Sequence, residues 1–376
     1  MAKRKGDMIN LEFILRTIFS LILRREIQFQ FDRIPLVAQK ISRQKMWNLF
    51  RIALNRLLPL APAFGYPYMA HVSPAGVCNL RCPICPAHDP QTKGKTLLPF
   101  STFKKLIDEI GDYLIYVILW SWGEPFLNPE IYRMISYARD KNILTVTSSN
   151  LDRFTQEDAA QVIASGLDAL IIALDGVSEE TYSKYRSGGS PQRVIDNTKL
   201  LVEERKKRGS KKPYLNLRMV VSKYNEKEVE AFRVLGRELG VDMVSFKAFS
   251  TRQPGFASPE IDRQFAPESK FFRWYDYLPD YTVSRKLKKY NCRFPWTKPT
   301  LFADGEILTC EFDFRYEYSL GNLNQKSFRE IWFGSKAREF RRRFNQNRDE
   351  IAFCRDCVFD YKLIPGCVVA WEFLNK

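Results

Sequence analysis

Cys78-Asn-Leu-Arg-Cys82-Pro-Ile-Cys85 is the stretch that decides the fold: a C-x3-C-x2-C triplet placed directly after an apolar run at residues 66–73. The run predicts a strand, so the triplet falls on the loop that follows it. Three thiolates at this spacing can hold three irons of a four-iron cluster and leave the fourth iron open to another ligand. A tetrahedral zinc ion is the competing interpretation, with the same three cysteines and His88 as its ligands.

The composition is that of a soluble globular protein, and 376 residues are enough for two domains plus extensions. Lys and Arg total 59 against 43 Asp and Glu, and the net charge of +16 predicts an anionic partner: nucleic acid, an acidic membrane surface or a phosphorylated substrate. A solvated basic face is the plainer alternative. The eight cysteines cluster in groups, which in an intracellular chain indicates metal ligation rather than disulfides. Only two histidines are present, so histidine-driven acid–base chemistry is not expected to dominate.

Strands and helices alternate from residue 66 onward. The predicted strands are 66–73, 114–121, 143–149, 169–174, 214–221 and 242–248. The predicted helices are 101–111, 129–140, 155–165, 191–208 and 226–239. Gly166 and Gly240 stand where two of these helices should end. Strands separated by helices indicate βαβ units and a parallel sheet, in which the chemistry belongs at the carboxyl ends of the strands.

Two amphipathic helices are predicted before the first strand. The first, near residues 11–23, is too short and too charged to span a bilayer, and no signal-peptide cleavage site follows it. The second lies between Ile41 and Leu58. Its apolar stripe consists of Met46, Phe50, Ala53 and Leu57, beside which lie Trp47, Leu54 and Leu58. Both are interpreted either as interfacial helices on an anionic membrane or as surfaces that pack on the catalytic domain or on a partner subunit.

The cysteine triplet resembles the defining C-x3-C-x-Φ-C motif of the radical SAM superfamily, although Ile84 replaces the usual aromatic residue. This resemblance implies a partial (β/α)6 TIM-like barrel. It also implies a 4Fe-4S cluster on Cys78, Cys82 and Cys85 that binds S-adenosylmethionine (SAM). Reductive cleavage of SAM would then yield a 5′-deoxyadenosyl radical that takes a hydrogen atom from the substrate.

Two further motifs resemble the SAM-binding positions of the family. Gly123-Glu124-Pro125 ends the second predicted strand and resembles the Gly-Glu-Pro that contacts the SAM amino group. A zinc site would need nothing there, so this motif counts against zinc. Ser149 and Asn150 end the third strand, where the resemblance implies contacts to the ribose and carboxylate of SAM. Ordinary turn chemistry is the alternative for these two residues.

The fourth strand ends in Ala173-Leu-Asp175-Gly176, where relatives carry a serine in place of Ala173. A serine contact to SAM is therefore absent or moved. Asp175 is either a site residue or the cap of a helix that begins near Glu179. By resemblance, Arg186 meets a SAM carboxylate or an acidic substrate group, and a solvated arginine is its alternative.

A second cysteine set resembles the C-terminal extension called twitch or SPASM, which holds auxiliary iron–sulfur clusters. The order Cys, Gly-x4-Cys, Gly-Asn, Ile-Trp and C-x2-C agrees over residues 292–357. Five cysteines follow residue 290, fewer than the seven of the longer SPASM form, which implies the shorter twitch form with one auxiliary 4Fe-4S cluster. The implied ligands are Cys292, Cys310, Cys354 and Cys357. Cys367 is left over, either as a buried thiol or as a replacement for one of the four, and a zinc ribbon is the structural alternative.

Glu311 directly follows Cys310. In some relatives an acid beside this cysteine removes a proton from the substrate, and Glu311 would do so if burial raised its pKa. As a surface turn residue it would have no such role.

The sequence thus predicts an α/β protein with N-terminal helices, a partial barrel and a small cysteine-rich C-terminal domain. The segments are N-terminal helices at 1–62, a radical SAM core at 63–250, a linker at 251–290 and the auxiliary-cluster domain at 291–376. Aromatic residues of the linker are expected to anchor it to a neighbouring surface. They are Phe271, Phe272, Trp274, Tyr275 and Tyr277.

The implied activity is that of a radical SAM oxidoreductase or related modifying enzyme that performs an oxidation, an epimerisation or a coupling. A phosphorylated, sugar or lipid-linked small molecule is the expected substrate, and a peptide is the alternative. The expected electron donor is a ferredoxin or flavodoxin. The expected location is the cytoplasm, at the inner face of the cell membrane if the helices bind lipid. A zinc protein that binds nucleic acid is the alternative from another class.

Overall fold

The computed structural model describes residues 20–38, 40–58, 62–251, 258–283, 290–361 and 367–374. Its strands are β1 (Ile27–Phe31), β2 (Ile34–Ala38), β3 (Met69–Val72), β4 (Tyr116–Leu119), β5 (Leu144–Ser149), β6 (Ala169–Ala173), β7 (Tyr214–Val221), β8 (Met243–Ala248), β9 (Thr300–Leu301), β10 (Glu306–Leu308), β11 (Gly321–Asn322) and β12 (Val368–Phe373). Its α-helices are α1 (Arg43–Leu57), α2 (Phe100–Ile110), α3 (Ile131–Asp140), α4 (Gln156–Ser165), α5 (Glu179–Ser183), α6 (Pro191–Lys207), α7 (Val229–Leu239), α8 (Pro259–Phe265), α9 (Phe294–Thr297), α10 (Phe328–Trp332), α11 (Ser335–Asn347) and α12 (Ala352–Arg355).

One sheet organises the protein, with strand order β11-β10-β9-β3-β4-β5-β6-β7-β8-β12. The pairs from β3 to β8 are all parallel and are linked by helices, which confirms the predicted partial (β/α)6 barrel. All six predicted strands and all five predicted helices are present. Gly166 and Gly240 end α4 and α7 with positive φ angles of 78° and 73°, as predicted.

The cysteine-rich segment continues the same sheet on both edges. On one side, β9 pairs in parallel with β3. On the other side, β12 pairs antiparallel with β8. The second set of cysteines is therefore tied by backbone hydrogen bonds to the strand that precedes the first set.

A β-hairpin fills the interior of the barrel. Its two strands, β1 and β2, lie within residues 1–62, for which helices were predicted, so that prediction is wrong for these strands. Strands β1 and β2 pair around a turn at Asp32 and Arg33, whose φ angles are 47° and 72°. Ile34 and Leu36 of β2 form a buried cluster with inward-facing residues of three barrel strands. These residues are Val146, Ala169, Ile171 and Met243. At the hairpin tip, Asp32 Oδ2 accepts a hydrogen bond of 2.7 Å from Arg218 Nη1 of β7.

The predicted first helix falls mostly outside the described residues. The described part, Ser20–Arg24, forms one π-helical turn. The predicted second helix is confirmed as α1, capped by Ser42. No helix in the described part of the chain is long and apolar enough to cross a membrane.

The aromatic group of the predicted linker packs as expected. Trp274 and Tyr275 are fully buried in one cluster with Ala248, and Trp274 Nε1 donates to Val358 O at 3.1 Å. Phe271 is exposed instead. The aromatic side chains thus join the end of the barrel to the cysteine-rich segment.

Candidate active site

The Cys78–Cys85 loop follows β3 at the carboxyl end of the sheet, as predicted. Cys82 is buried, and Cys78 and Cys85 are half-buried. Two groups contact the Cys78 thiol: Leu80 N donates to it at 3.4 Å, and Asn150 Nδ2 lies 3.8 Å away. Burial raises the pKa of Cys78 to about 12 and that of Cys85 to about 11, so both thiols hold their protons until a metal displaces them.

The chemistry of this donor set fits a cluster better than a single ion. No group of three His, Cys, Asp or Glu side chains within the described ranges is placed to share one metal ion. A four-iron cluster makes a different demand, because each thiolate binds a different iron. The His88 ring, the fourth ligand of the zinc alternative, is directed to the backbone, with Nε2 2.5 Å from Leu80 O.

The Gly123-Glu124-Pro125 motif lies against the cysteine loop. Glu124 N donates to Val77 O at 2.8 Å. A Cβ on Gly123 would lie only 2.0 Å from Ala75 O, so only glycine permits this approach. The motif is therefore fitted to the backbone that carries Cys78.

The structure brings Glu124, Ser149 and Asn150 together in one hydrogen-bonded group. Glu124 Oε1 accepts from Ser149 Oγ at 2.7 Å, and Oε2 accepts from Asn150 N at 2.9 Å. Burial raises the pKa of Glu124, while these hydrogen bonds oppose the shift. All three polar groups lie at the carboxyl ends of β4 and β5, beside Cys78.

Asp175 and Arg186 form a second polar group, beside Cys82. Arg186 Nε donates to Asp175 Oδ2 at 2.6 Å, and Asp175 Oδ1 accepts from Val220 N at 2.7 Å. The alternative of Asp175 as a helix cap is wrong, because Ser178 caps α5. A solvated arginine is also wrong, because the Arg186 side chain is 17 % exposed and is paired with Asp175.

The second cysteine set lines one small apolar pocket, with a cavity volume of about 30 Å³. The four predicted ligands all contribute to its wall: Cys292, Cys310, Cys354 and Cys357. Phenylalanines form most of the remaining wall. Cys367 is not part of this wall and packs in the cluster of Trp274 and Tyr275 instead. Four sulfurs around one apolar cavity fit a fully cysteine-ligated cluster.

Trp122 joins the two cysteine sets, and sequence reasoning missed it. Its carbonyl oxygen lies 3.7 Å from Cys85 Sγ, while its indole Nε1 donates to Glu311 O at 2.8 Å. Glu311 is the neighbour of Cys310. Its position immediately before Gly123, after the end of β4, could have indicated that Trp122 belongs to the site.

Glu311 faces two cationic or polar partners that the sequence did not indicate. Lys298 Nζ lies 2.7 Å from Glu311 Oε2, and His71 Nδ1 lies 3.6 Å from it. Burial alone would raise the pKa of Glu311, but Lys298 and His71 outweigh it and hold the pKa well below its usual range. The raised pKa that the sequence analysis required for a base is therefore not found.

His71 lies at the end of β3 and is buried. Its Nε2 is hydrogen-bonded to Trp120 O, while Nδ1 has no hydrogen-bond partner within the described part of the chain. An imidazole whose Nε2 donates to a carbonyl leaves Nδ1 free to accept a proton. The sequence did not indicate that His71 lies beside Glu311.

Comparison with known proteins identifies two family models in the chain. Residues 72–235 match the radical SAM superfamily, and residues 292–358 match the SPASM iron–sulfur cluster-binding domain. A similar curated protein is the AdoMet-dependent heme synthase of Methanosarcina barkeri, 24% identical over 199 residues, which are 53% of this chain and 54% of that protein. The tungsten-containing aldehyde ferredoxin oxidoreductase cofactor-modifying protein of Pyrococcus furiosus is 23% identical over 312 residues, 74% of this chain and 84% of that protein. The chain spans about half the length, or less, of the first curated relatives it matches.

Among solved structures, Streptococcus suis SuiB bound to precursor peptide SuiA is similar, with a TM-score of 0.58 and 14% identity. The match covers 85% of this chain and 79% of that chain. At this identity the likeness shows the fold alone.

Proposed function

Because this chain belongs to the radical SAM superfamily and carries a C-terminal SPASM domain, we propose that it oxidises an organic substrate by a radical route that begins with reductive cleavage of SAM. These domains imply a SAM-binding 4Fe-4S cluster and an auxiliary iron–sulfur cluster. When bound, the first cluster and SAM supply a hydrogen-abstracting radical, and the auxiliary cluster supplies an acceptor for a second electron.

Each polar group of the site has a proposed role. Cys78, Cys82 and Cys85 would hold the SAM-binding cluster. Glu124 and Ser149, whose side chains are hydrogen-bonded to each other, would face the polar groups of SAM. These side chains, and Gly123, Pro125, Asn150, Asp175 and Arg186 with them, are proposed as the SAM-binding residues. The second set of Cys292, Cys310, Cys354 and Cys357 would hold one auxiliary cluster.

The contacts of Trp122 with Cys85 and with Glu311, the neighbour of Cys310, are the observation that favours oxidation over epimerisation or coupling. An oxidation removes a second electron from the substrate after the hydrogen atom has left. The two hydrogen-bonding ends of Trp122 keep the second site next to the first. A redox-neutral epimerisation has no need of a four-cysteine site so close to the chemistry.

Oxidation of an alcohol also releases a proton, and the site offers an acceptor. Glu311, which Lys298 holds ionised, faces the Nδ1 side of His71. An ionised carboxylate 3.6 Å from Nδ1 orients the imidazole. We therefore assign the proton to the pair of His71 and Glu311 rather than to Glu311 alone.

The charges on the inner wall of the barrel support an acidic substrate. Arg218, Lys247 and Arg33 surround the single carboxylate of Asp32 and together lower its pKa, although burial acts in the opposite direction. Three cations around one anion leave an excess of positive charge below the site. A carboxylate- or phosphate-bearing small molecule is therefore proposed, with a peptide as the alternative because the similar SuiB structure holds one.

Anaerobic reconstitution with iron and sulfide tests the reaction class. About eight irons per chain are expected, together with formation of 5′-deoxyadenosine from SAM under dithionite or a reduced ferredoxin or flavodoxin. Cys82→Ala should abolish SAM cleavage. Cys354→Ala should lower iron to about four and leave SAM cleavage intact.

A different outcome would replace the proposal. Bound zinc, no SAM cleavage and salt-dependent binding to nucleic acid would favour the zinc protein. Full SAM cleavage with only about four irons in the unmodified protein would remove the auxiliary cluster, and oxidation with it.

A further inference from the structure

Helix α1 exposes two large aromatic side chains that its apolar pattern assigns to the buried side. Trp47 is 63% exposed and Phe50 is 53% exposed, and their rings stack with centroids 5.3 Å apart. The side that is buried carries Lys45, Asn48 and Asn55 beside Ile52. Phe50 and Ala53 of the predicted stripe, and Trp47 beside it, thus face away from the protein, whereas Met46 packs against the barrel.

The buried polar side is fully used, so the helix is fixed in this orientation. Asn48 exchanges two hydrogen bonds of 2.9 Å with the backbone of Tyr66. Asn55 Oδ1 accepts from Phe64 N at 2.7 Å, and Lys45 Nζ donates to Asn142 O at 2.8 Å. A rotation that buried the aromatic pair would leave these groups unpaired, which is costly.

Other exposed apolar side chains lie in the same N-terminal region. Leu23, Val37 and Leu58 are each more than one-third exposed. Among the described residues, five of the eleven large hydrophobic side chains that are exposed therefore belong to positions 23–58. The stacked pair of Trp47 and Phe50 forms a continuous exposed apolar surface, which marks an interaction site more often than single exposed side chains do.

The charge of the same region is mostly positive, with Glu26 and Asp32 as its acidic residues. From Arg33 to His88 the chain has seven Lys or Arg residues and no Asp or Glu. Ile41 N donates to Arg25 O at 2.8 Å, which places the basic residues Arg24 and Arg25 next to the start of α1. Arg43 and Arg51 are also exposed on α1. An excess of exposed arginines on such a surface attracts an anionic partner.

From these observations we propose that the exposed face of α1 docks on a bilayer that contains anionic phospholipids, with Trp47 and Phe50 inserted at the level of the headgroups. Stacked aromatic side chains flanked by arginines are typical of membrane-interface helices. Each basic residue near an anionic leaflet adds to the attraction. This proposal does not depend on the reaction that the site performs.

The docked face lies at the opposite end of the barrel from the site. Ile41, Met46 and Leu49 cluster with Ile115 and other residues at the starts of β3, β4 and β5. The cysteine loop and Glu124 lie beyond the carboxyl ends of these strands. The six residues of β5 separate the two ends by roughly 20 Å. A docked molecule would therefore hold its site toward the aqueous side.

Co-sedimentation of the full chain with large vesicles tests the proposal. Vesicles of phosphatidylcholine with phosphatidylglycerol should bind the protein at low salt, and vesicles of pure phosphatidylcholine should bind it weakly. The double variant Trp47→Ser, Phe50→Ser should lose roughly tenfold or more of the partition into anionic vesicles. The matched control Phe271→Ser, Leu278→Ser removes two exposed apolar side chains elsewhere and should bind like the unmodified protein.

Several outcomes would overturn it. One is failure of the unmodified protein to bind anionic vesicles. A second is unchanged binding of Trp47→Ser, Phe50→Ser when its circular dichroism is that of the unmodified protein. A third is loss of binding only when residues 1–19 are removed, which would assign the contact to that segment. Binding to duplex DNA that this double variant abolishes, with no vesicle binding, would assign the face to nucleic acid.

Discussion

Replacement of Asn48 by alanine should destabilise the protein more than replacement of its larger, apolar neighbour Phe50. Asn48 is 2% exposed, and both ends of its amide are hydrogen-bonded to the backbone of Tyr66. Alanine would leave one N–H and one C=O unpaired and buried, at about 1–3 kcal/mol each. The better helix propensity of alanine stabilises the folded state by about 0.5 kcal/mol. We therefore expect the free energy of unfolding to fall by about 1.5–5.5 kcal/mol.

Phe50→Ala is the matched test on the other side of the helix. More than half of Phe50 is already in solvent, and its main aromatic contact is the equally exposed Trp47. A fully buried phenylalanine would cost about 3–5 kcal/mol, whereas this one should cost about 1 kcal/mol. The apolar periodicity of the sequence predicts the reverse order, so the two variants separate the two descriptions of α1.

Urea unfolding of both variants at matched iron content gives the comparison, provided that the m-values agree with that of the unmodified protein. If Phe50→Ala lowers the free energy of unfolding as much as Asn48→Ala does, the inverted packing of α1 is wrong. The proposed docking face would then be wrong with it.

Three further predictions concern the site and the hairpin. Gly123→Ala should slow SAM cleavage about 10- to 100-fold at unchanged iron content, because its Cβ would lie 2.0 Å from Ala75 O; an unaffected rate would contradict this. Cys367→Ser should keep the iron content of the unmodified protein, and loss of about four irons would make Cys367 a ligand. Asp32→Asn should lower the free energy of unfolding in urea by about 2–3 kcal/mol, because it leaves the buried Arg218 without its counter-ion; an unchanged midpoint would contradict that pairing.

The barrel could be predicted because its signals are local. Each strand is a short apolar run, and glycines end two of the helices in the left-handed conformation that the backbone there requires. The ends of β4, β5 and β6 carry polar residues, and parallel strands bring such ends to one edge of a sheet. Glu124 and Ser149 could thus be placed together before their hydrogen bond was seen.

The partners of Glu311 could not be predicted in this way. Lys298 precedes β9, and His71 lies on β3, more than two hundred residues earlier in the chain. They meet Glu311 only because β9 pairs with β3, and no spacing in the sequence encodes that pairing. Burial alone would raise the pKa of Glu311, but the contact with Lys298 and His71 lowers it. The direction of the shift therefore depends on a pairing that the sequence does not show.

The hairpin and the inverted helix were missed for a related reason. Helical periodicity assigns apolar residues to the buried side, but the neighbour of α1 is an irregular segment around Tyr66 whose backbone groups need hydrogen-bond partners. Asn48 and Asn55 meet that need, so these hydrogen bonds, together with the packing of Met46, Leu49 and Ile52, decide which face is buried. The hairpin of β1 and β2, in turn, is buried on a surface that exists only after the barrel has formed.

The positions of the proposed docking face and of the active site limit which substrates can reach the site. If α1 lies on the bilayer, the Cys78–Cys85 loop is held away from it by the height of the barrel, and the hairpin blocks a route through the interior from the membrane side. A substrate whose reacting group stays in the headgroup layer could not reach Cys85. A soluble acidic molecule can enter from the aqueous side, where docking leaves the site open. Anionic vesicles should therefore leave the rate of SAM cleavage unchanged while they bind the protein, and inhibition on binding would mean that the site faces the membrane.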